Sequence, residues 1–335
     1  MTQRVLGSSK RLKLLACAVC TVICAVSSSV QAQQSGKIFH VGFLDSSTPS
    51  GMAVLVDAFR GELRKLGWVE GKNIAFEYRF GEQKFERLPE LAADLVRLKV
   101  DLIVVPSGPA ALDAKTATAT IPIVMANAGD PVGEGLVASL ARPGGNVTGL
   151  SGLSPELITK RLEVLKDTVP KLSRVGLLRP AAASERQPKE ARAAASALKL
   201  KLEEIETQRD AKGLESAFQT AKEKQVDAIM TTASTAFFAE RKRIVDLATK
   251  YRLPAIYPQD AFVEVGGLMS YGADYVDLYR RAAHYADKIL KGSKPGDLPV
   301  QQATKFAFII NLKAAKQIGL IIPVRVLERA NQVIK

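Results

Sequence analysis

From Lys37 onward, short apolar runs rich in β-branched and aromatic residues alternate with longer segments in which apolar residues recur every three or four positions. Buried strands read as continuous apolar runs and helices as a period of 3.6, so this alternation predicts βαβ units and parallel sheets. Ile38–Leu44, Asn73–Phe80, Asp101–Pro106, Ile121–Met125 and Val147–Leu150 read as strands. Leu55, Phe59, Leu63 and Leu66 form a helical stripe between the first two, and Phe85, Leu88, Leu91, Ala92 and Leu95 form another before the third. A second series starts near Arg174, with Val175–Leu178, Lys201–Thr207, Asp227–Thr231, Pro254–Tyr257 and Leu268–Tyr271 as its strands. Helices from Pro155 to Lys166 and from Tyr275 to Leu290 follow the passage from one series to the other and the return.

The pattern therefore predicts an α/β protein of two Rossmann-like, doubly wound lobes. Roughly 300 residues after the leader exceed what one core usually spans, which supports the division. Doubly wound sheets take ligands beyond the carboxyl ends of their strands. With the lobes facing each other through those ends, the site falls on Asp45-Ser46-Ser47, Ser107-Gly108-Pro109 and Gly129-Asp130 of one lobe. The other lobe supplies Thr232-Ala233-Ser234, Tyr257 to Asp260 and Tyr271-Gly272. Polar residues with little charge suit a neutral or zwitterionic solute. Residues 126–149 are the most telling stretch, reading as a polar strand exit, a short helix and a Gly-rich return.

The N-terminus changes the setting. Arg4, Lys10, Arg11 and Lys13 precede an apolar run from Leu14 to Val26, and Ser27-Ser28-Ser29-Val30-Gln31-Ala32 follows. This is the pattern of a secretory signal peptide with cleavage after Ala32, and the run is shorter than the roughly 20 residues of a membrane span. The three cysteines, Cys17, Cys20 and Cys24, all lie within it. Disulfides, thiolate metal sites and cysteine nucleophiles are thereby excluded from the exported chain. Too few apolar residues separate Lys13 from Cys17 for a lipid anchor, so a freely soluble protein of the periplasm is expected. Four of the 47 Lys and Arg belong to the leader, and the remainder carries a formal +9 against 34 acids. Those charges are interleaved along helix faces, which argues for a solvated surface and against nucleic-acid binding.

Candidate chemistry is sparse. The two histidines, His40 and His284, fall in a strand and an amphipathic helix without the neighbours a general base or metal site needs. Gly133-Glu134-Gly135-Leu136-Val137-Ala138 fits the loose dinucleotide fingerprint, yet follows the fourth strand rather than opening the first βαβ unit. Ser196-Ala197-Leu198-Lys199 has Ser-x-x-Lys spacing without the accompanying elements. The expectation is a protein that is not an enzyme and needs no cofactor or metal.

Longer motifs carry a resemblance. Gly67-Trp68-Val69-Glu70-Gly71-Lys72-Asn73-Ile74 with Glu77-Tyr78-Arg79, Gly129-Asp130-Pro131-Val132 through Gly149, Arg252 to Tyr257, Gly266 to Gly272 and Lys305 to Lys313 occur in order over nearly the whole chain. Together they resemble the solute-binding components of ABC importers, and more narrowly the group whose better-known members bind tryptophan or tyrosine. The resemblance implies a type I periplasmic binding protein with a three-crossing hinge. It would be a monomer whose loaded form docks on a membrane permease driven by a cytoplasmic ATPase, its only contact with the membrane. The implied division is a signal peptide over 1–32, an N-terminal lobe over 37–150 plus about 274–302, and a C-terminal lobe over 151–273. Residues 303–335 form the last crossing segment and its helices.

The resemblance also implies roles. Ser107 and Gly108 stand at a helix start, where unpaired N–H groups would receive a ligand carboxylate, with ordinary capping by Ser107 the competing reading. Asp130, before Pro131, either faces the cleft or shapes its own turn. Asp260 is the expected partner of a ligand ammonium. Phe237, Phe238, Tyr257, Phe262 and Tyr271 would offer aromatic surface, core packing being their other fate. Ser234 departs from the Asp found in many relatives, which removes one candidate partner for an amine and leaves the solute open. The expected ligand set is thus Asp45, Ser46, Ser107, Gly108, Asp130, Thr232, Ser234, Phe237, Tyr257, Asp260 and Tyr271. The expected function is capture of a small amino-acid-like solute for import. A module signalling ligand state to a membrane receptor is the alternative, and an exported hydrolase the third reading.

Overall fold

A computed structural model describes residues 37–181, 185–208 and 210–335; the expected signal peptide lies outside them. The first lobe runs β1 (Phe39–Asp45), α1 (Pro49–Lys65), β2 (Ile74–Phe80), α2 (Leu88–Arg97), β3 (Leu102–Val105), α3 (Gly108–Ala117), β4 (Ile123–Ala128) and β5 (Val147–Ser151). The second lobe follows with α4 (Ser154–Thr168), β6 (Arg174–Pro180), α5 (Arg186–Ala197), β7 (Lys201–Thr207), α6 (Ala211–Glu223), β8 (Ala228–Thr231), α7 (Thr235–Ala239), α8 (Arg241–Lys250), β9 (Ala255–Tyr257), α9 (Ala261–Glu264) and β10 (Met269–Ala273). The chain then returns through α10 (Tyr275–Leu290) and β11 (Gln301–Gln302). It closes with β12 (Phe306–Asn311), α11 (Leu312–Ile318), α12 (Val324–Leu327) and β13 (Gln332–Ile334).

Two sheets result, in the orders β11-β5-β4-β3-β1-β2 and β13-β12-β10-β9-β8-β6-β7. Every pairing is parallel except that of β10 with β12. Parallel strands joined by helical crossovers are covered on both faces, and β3, β4 and β5 are accordingly buried along their whole length. On one face of the first sheet, Leu55, Phe59 and Leu63 of α1 and Leu278, Tyr279 and Ala282 of α10 join the cluster of Val41, Phe43, Leu102 and Val104. On the other, Leu88, Leu91 and Leu95 of α2 and Ala110, Ala111 and Ala114 of α3 meet Ile103, Val105 and Met125. In the second lobe Ile158, Leu162 and Leu165 of α4 pack with Val175, Leu177, Met230 and Met269.

The expected strands of both series are present, and each helical stripe faces a core. The short helix expected between strand exit and Gly-rich return is absent: residues 131–135 form consecutive turns. Pro131, Gly133 and Gly135 there leave too few helix-forming residues for a stable turn of helix. The antiparallel strand β12, seen in the sequence only as part of a closing motif, and the edge strand β13 extend the second sheet.

The chain passes between the sheets three times, after β5, after β10 and after β11. The first passage is tight. Gly149, at φ 132, lies so close to β4 that a Cβ would strike the Met125 backbone, and the pairing of β4 with β5 shifts register between Met125 and Ala128. Gly152 likewise leaves room for the Asn127 side chain, and Leu153 enters α4 in the left-handed region at φ 54. Helix α1 begins on Thr48, whose Oγ1 accepts from the Gly51 N–H at 3.1 Å, with Pro49 in the first turn. Helix α10 begins in the same way on Asp274. Among the described residues, no helix is long and apolar enough to cross a membrane.

Candidate functional site

The carboxyl ends of the two sheets enclose a cavity of about 130 Å³. A dry cavity of roughly 150 Å³ admits a benzene ring, so the volume here is of the order of a ring-sized group. The first lobe contributes Ser107 and Gly108 after β3, Asn127 and Gly129 at the end of β4, Phe85 from a short 3-10 turn before α2 and Glu134 from the turns after β4. Thr232 to Thr235 after β8 and Gln187 of α5 come from the second lobe, while Ser154 and Tyr275 stand at two of the crossings.

The loops are fixed by their own hydrogen bonds. Gln187 clamps the loop after β8, its Nε2 donating to Ala233 O at 3.0 Å and its Oε1 accepting from the Ala233 N–H at 2.8 Å. Ser234 caps α7, its Oγ accepting from the Phe237 N–H at 3.1 Å. Ser107 also occupies a cap position but makes no side-chain capping bond, which leaves its hydroxyl for the cavity. Thr232 Oγ1 and Asn127 Oδ1 are buried without a hydrogen-bond partner among the described residues. The Tyr275 hydroxyl lies among Asn127, Gln259 and Ser154, and burial raises its pKa. Below it Arg161 is wholly buried, its Nη2 donating to Ser154 O at 3.3 Å and its Nη1 to Tyr271 O at 3.4 Å. Burial lowers the Arg161 pKa to about 10.

Of the residues expected from the sequence, Ser107, Gly108, Thr232 and Ser234 lie together on the cavity wall. Asp45 and Ser46 sit deeper, where the lobes touch: Ser46 Oγ meets Thr235 Oγ1 at 3.4 Å, and Asp45 Oδ1 accepts from the Ser47 N–H at 2.9 Å. Burial raises the Asp45 pKa from 3.8 to about 6. Asp130 forms an ion pair with Arg186 of the opposite lobe, which makes it a tie between lobes. Asp260 is outside the cavity lining; its Oδ1 accepts from the Ala261 N–H at 2.8 Å at the start of α9. Tyr257 stacks on Phe262 at 4.7 Å and Phe237 is fully buried, so both rings serve the core because their strand and helix turn them inward. Tyr271 packs edge-on to Phe308 at 6.2 Å, also away from the lining. Phe238 stacks on Tyr275 at 6.2 Å with the Arg241 guanidinium 4.7 Å above its ring.

Phe85, Asn127, Glu134, Gln187 and Tyr275 were not anticipated. Phe85 and Tyr275 supply aromatic surface of the cavity, and Glu134 supplies its one carboxylate among the described residues. The signal for Glu134 was present, as an acid flanked by glycines just past a polar strand exit, but it read as a weak dinucleotide fingerprint. The turns at 131–135 exclude that reading, since no helix follows the glycines.

Two lobes of this topology around a cavity at their strand ends define a type I periplasmic binding fold. The ABC transporter substrate binding protein family matches residues 47–334, and the chain belongs to that family. Its members bind solutes outside the cytoplasm. The chain is 28% identical over 263 residues to the tyrosine-binding protein of Clostridioides difficile (strain R20291), covering 77% of this chain and 74% of that one. It is also similar to the ABC domain from Streptococcus pneumoniae in complex with L-Trp, at TM-score 0.80 and 28% identity, over 89% of this chain and 100% of that one. Against the ligand-free, open structure of a substrate-binding protein with adhesive properties from Clostridium difficile, the TM-score is 0.61 at 26% identity, over 89% and 99%. In this chain the lobes meet across the cleft, through Asp130 with Arg186 and Ser46 with Thr235.

Proposed function

We propose that this chain is the periplasmic solute-capturing component of an ABC importer, exported by a signal peptide cleaved after Ala32, and that it holds a small amino-acid-like solute, aromatic ones included, between its lobes for delivery to the permease. The carrying observation is the cavity itself: polar strand exits from both lobes meet two rings, Phe85 and Tyr275, where the lobes come together. A solute that touches both lobes stabilises closure only by binding it better than the open state, and groups from both sheets meet that condition. Ser107, Gly108, Thr232 and Ser234 are the proposed contacts from the expected set, joined by Asn127 and Tyr275. The tyrosine- and L-Trp-binding relatives support an aromatic amino acid as the first solute to try.

The test is a thermal-shift screen of residues 33–335 against amino acids, aromatic acids, amides and short peptides. A dose-dependent rise for one class is expected, because occupancy at 100 times Kd adds about 2.7 kcal/mol. A flat response across the library overturns the solute assignment.

A further inference from the structure

Among the described residues, Glu134 is the only charged side chain on the cavity wall. Its loop is tightly held: the Glu134 N–H donates to Asp130 O at 2.9 Å, the Leu136 N–H to Pro131 O at 2.9 Å, and Lys115 Nζ to Gly135 O at 2.7 Å. This turn sends the side chain back across the first turn of α3. A methyl group on Gly108 would overlap the Glu134 carboxylate, and one on Gly129 would lie 3.4 Å from its Oε1. Oε2 is buried and has no hydrogen-bond partner among the described residues, while the carboxylate takes one bond from the Asp130 backbone N–H. Two charged groups bear on it, Asp130 of its own loop and Arg186 of α5, and Arg186 is already paired with Asp130. The helix start that would have received a ligand carboxylate thus already faces an acid of the chain itself.

We propose that Glu134 is the specificity-determining residue of the cavity, accepting a hydrogen bond from a protonated amine or other cationic N–H of the solute, so that amine-bearing solutes are taken and acids lacking an amine are rejected. This rests on the solute-binding reading above. A buried carboxylate oxygen without a donor is costly; a cationic N–H supplies the missing partner in its strongest, charge-assisted form, whereas a second carboxylate at the same place adds repulsion. Burial, followed by the Asp130 charge, raises the Glu134 pKa from 4.5 to about 7. The ionised form is the one that pairs with a cation. Affinity for an amine therefore rises with pH through about 7 and levels off above it, by roughly tenfold between pH 6 and pH 8.

Titration calorimetry with L-tyrosine, tyramine and 3-(4-hydroxyphenyl)propionate, which carry both ionic groups, the amine alone and the acid alone, tests this on the wild type and Glu134→Gln at pH 6 and pH 8. The wild type is expected to bind the two amines, more tightly at pH 8, and to reject the acid. Glu134→Gln is expected to weaken amine binding by about tenfold or more, lose the pH dependence and narrow the gap to the acid. Equal wild-type affinity for acid and amine, or an amine affinity unchanged in Glu134→Gln, overturns the role of Glu134. The wild-type pH comparison needs no variant to fold. If the thermal-shift library yields a ligand without a cationic N–H, this inference alone falls; if neither probes nor library bind, the binding reading falls with it.

Discussion

Asp45 shows how one side chain responds to being enclosed between lobes. It is 0% exposed, one of its oxygens lacks a partner, and the hydroxyls and amides around it only partly offset the loss of water. Its pKa moves from 3.8 to about 6, so the folded protein holds this proton more tightly than the unfolded chain. The stability it contributes is present below about pH 4 and lost as pH rises through about 6, on the order of 3 kcal/mol. Asp45→Asn keeps an oxygen for the Ser47 N–H and cannot ionise. Melts of both proteins are expected to differ little at pH 4, with the variant gaining as pH rises to 7; a constant offset would show that the carboxyl is not held neutral. Burial of this kind was not legible in Asp45-Ser46-Ser47, which reads as a polar loop. The same holds for Asp260, whose partner is its own helix, and for Tyr257 and Phe237, whose rings the core takes.

At the level of elements, local chemistry and packing agree, and the sequence pattern was legible for that reason. Thr48, Pro49 and the basic pair Arg64 and Lys65 mark the two ends of α1, and its apolar stripe fixes the face that meets the sheet. Thr48→Ala removes the acceptor for Gly51 N–H and is expected to cost about 1 kcal/mol in chemical denaturation, with ligand selectivity unchanged. A harsher constraint lies at the first crossing. Gly149→Ala forces a methyl group into the β4 backbone at a positive φ, and about 3 kcal/mol or more of lost stability is expected, read as a melting point lower by several degrees. The turns at 131–135 were the element least legible, because Pro and Gly there permit several local structures and only the contacts of the loop with Lys115 and Gly108 select one.

For the whole molecule, several contacts tie the lobes together. Ser46 Oγ meets Thr235 Oγ1, Asp130 pairs with Arg186 across the cleft, and Arg241 Nη1 donates to Gly51 O at 3.2 Å from the second lobe to the start of α1. Each tie requires the lobes to be together, so, on the proposed function, removing one penalises the arrangement that encloses the cavity. Arg186→Ala is expected to weaken amine-bearing solutes by a common factor, about two- to fivefold, as befits a partly exposed ion pair, since its charge also bears on Glu134 and would alter amine-free solutes differently. Titration of two different amine-bearing ligands checks this: a change in their ratio would place Arg186 in recognition and not in closure. The sequence alone determined the two lobes, most of their strands and the strand ends that line the cavity, because hydrophobic period and turn residues are local properties that the tertiary fold does not override here. Only the tertiary structure decided which residues at those ends face the cavity, since that depends on how the lobes meet and on turns fixed by distant partners. Glu134 therefore came into the cavity, Asp130 became a tie to Arg186, and Asp260 stayed with its own helix.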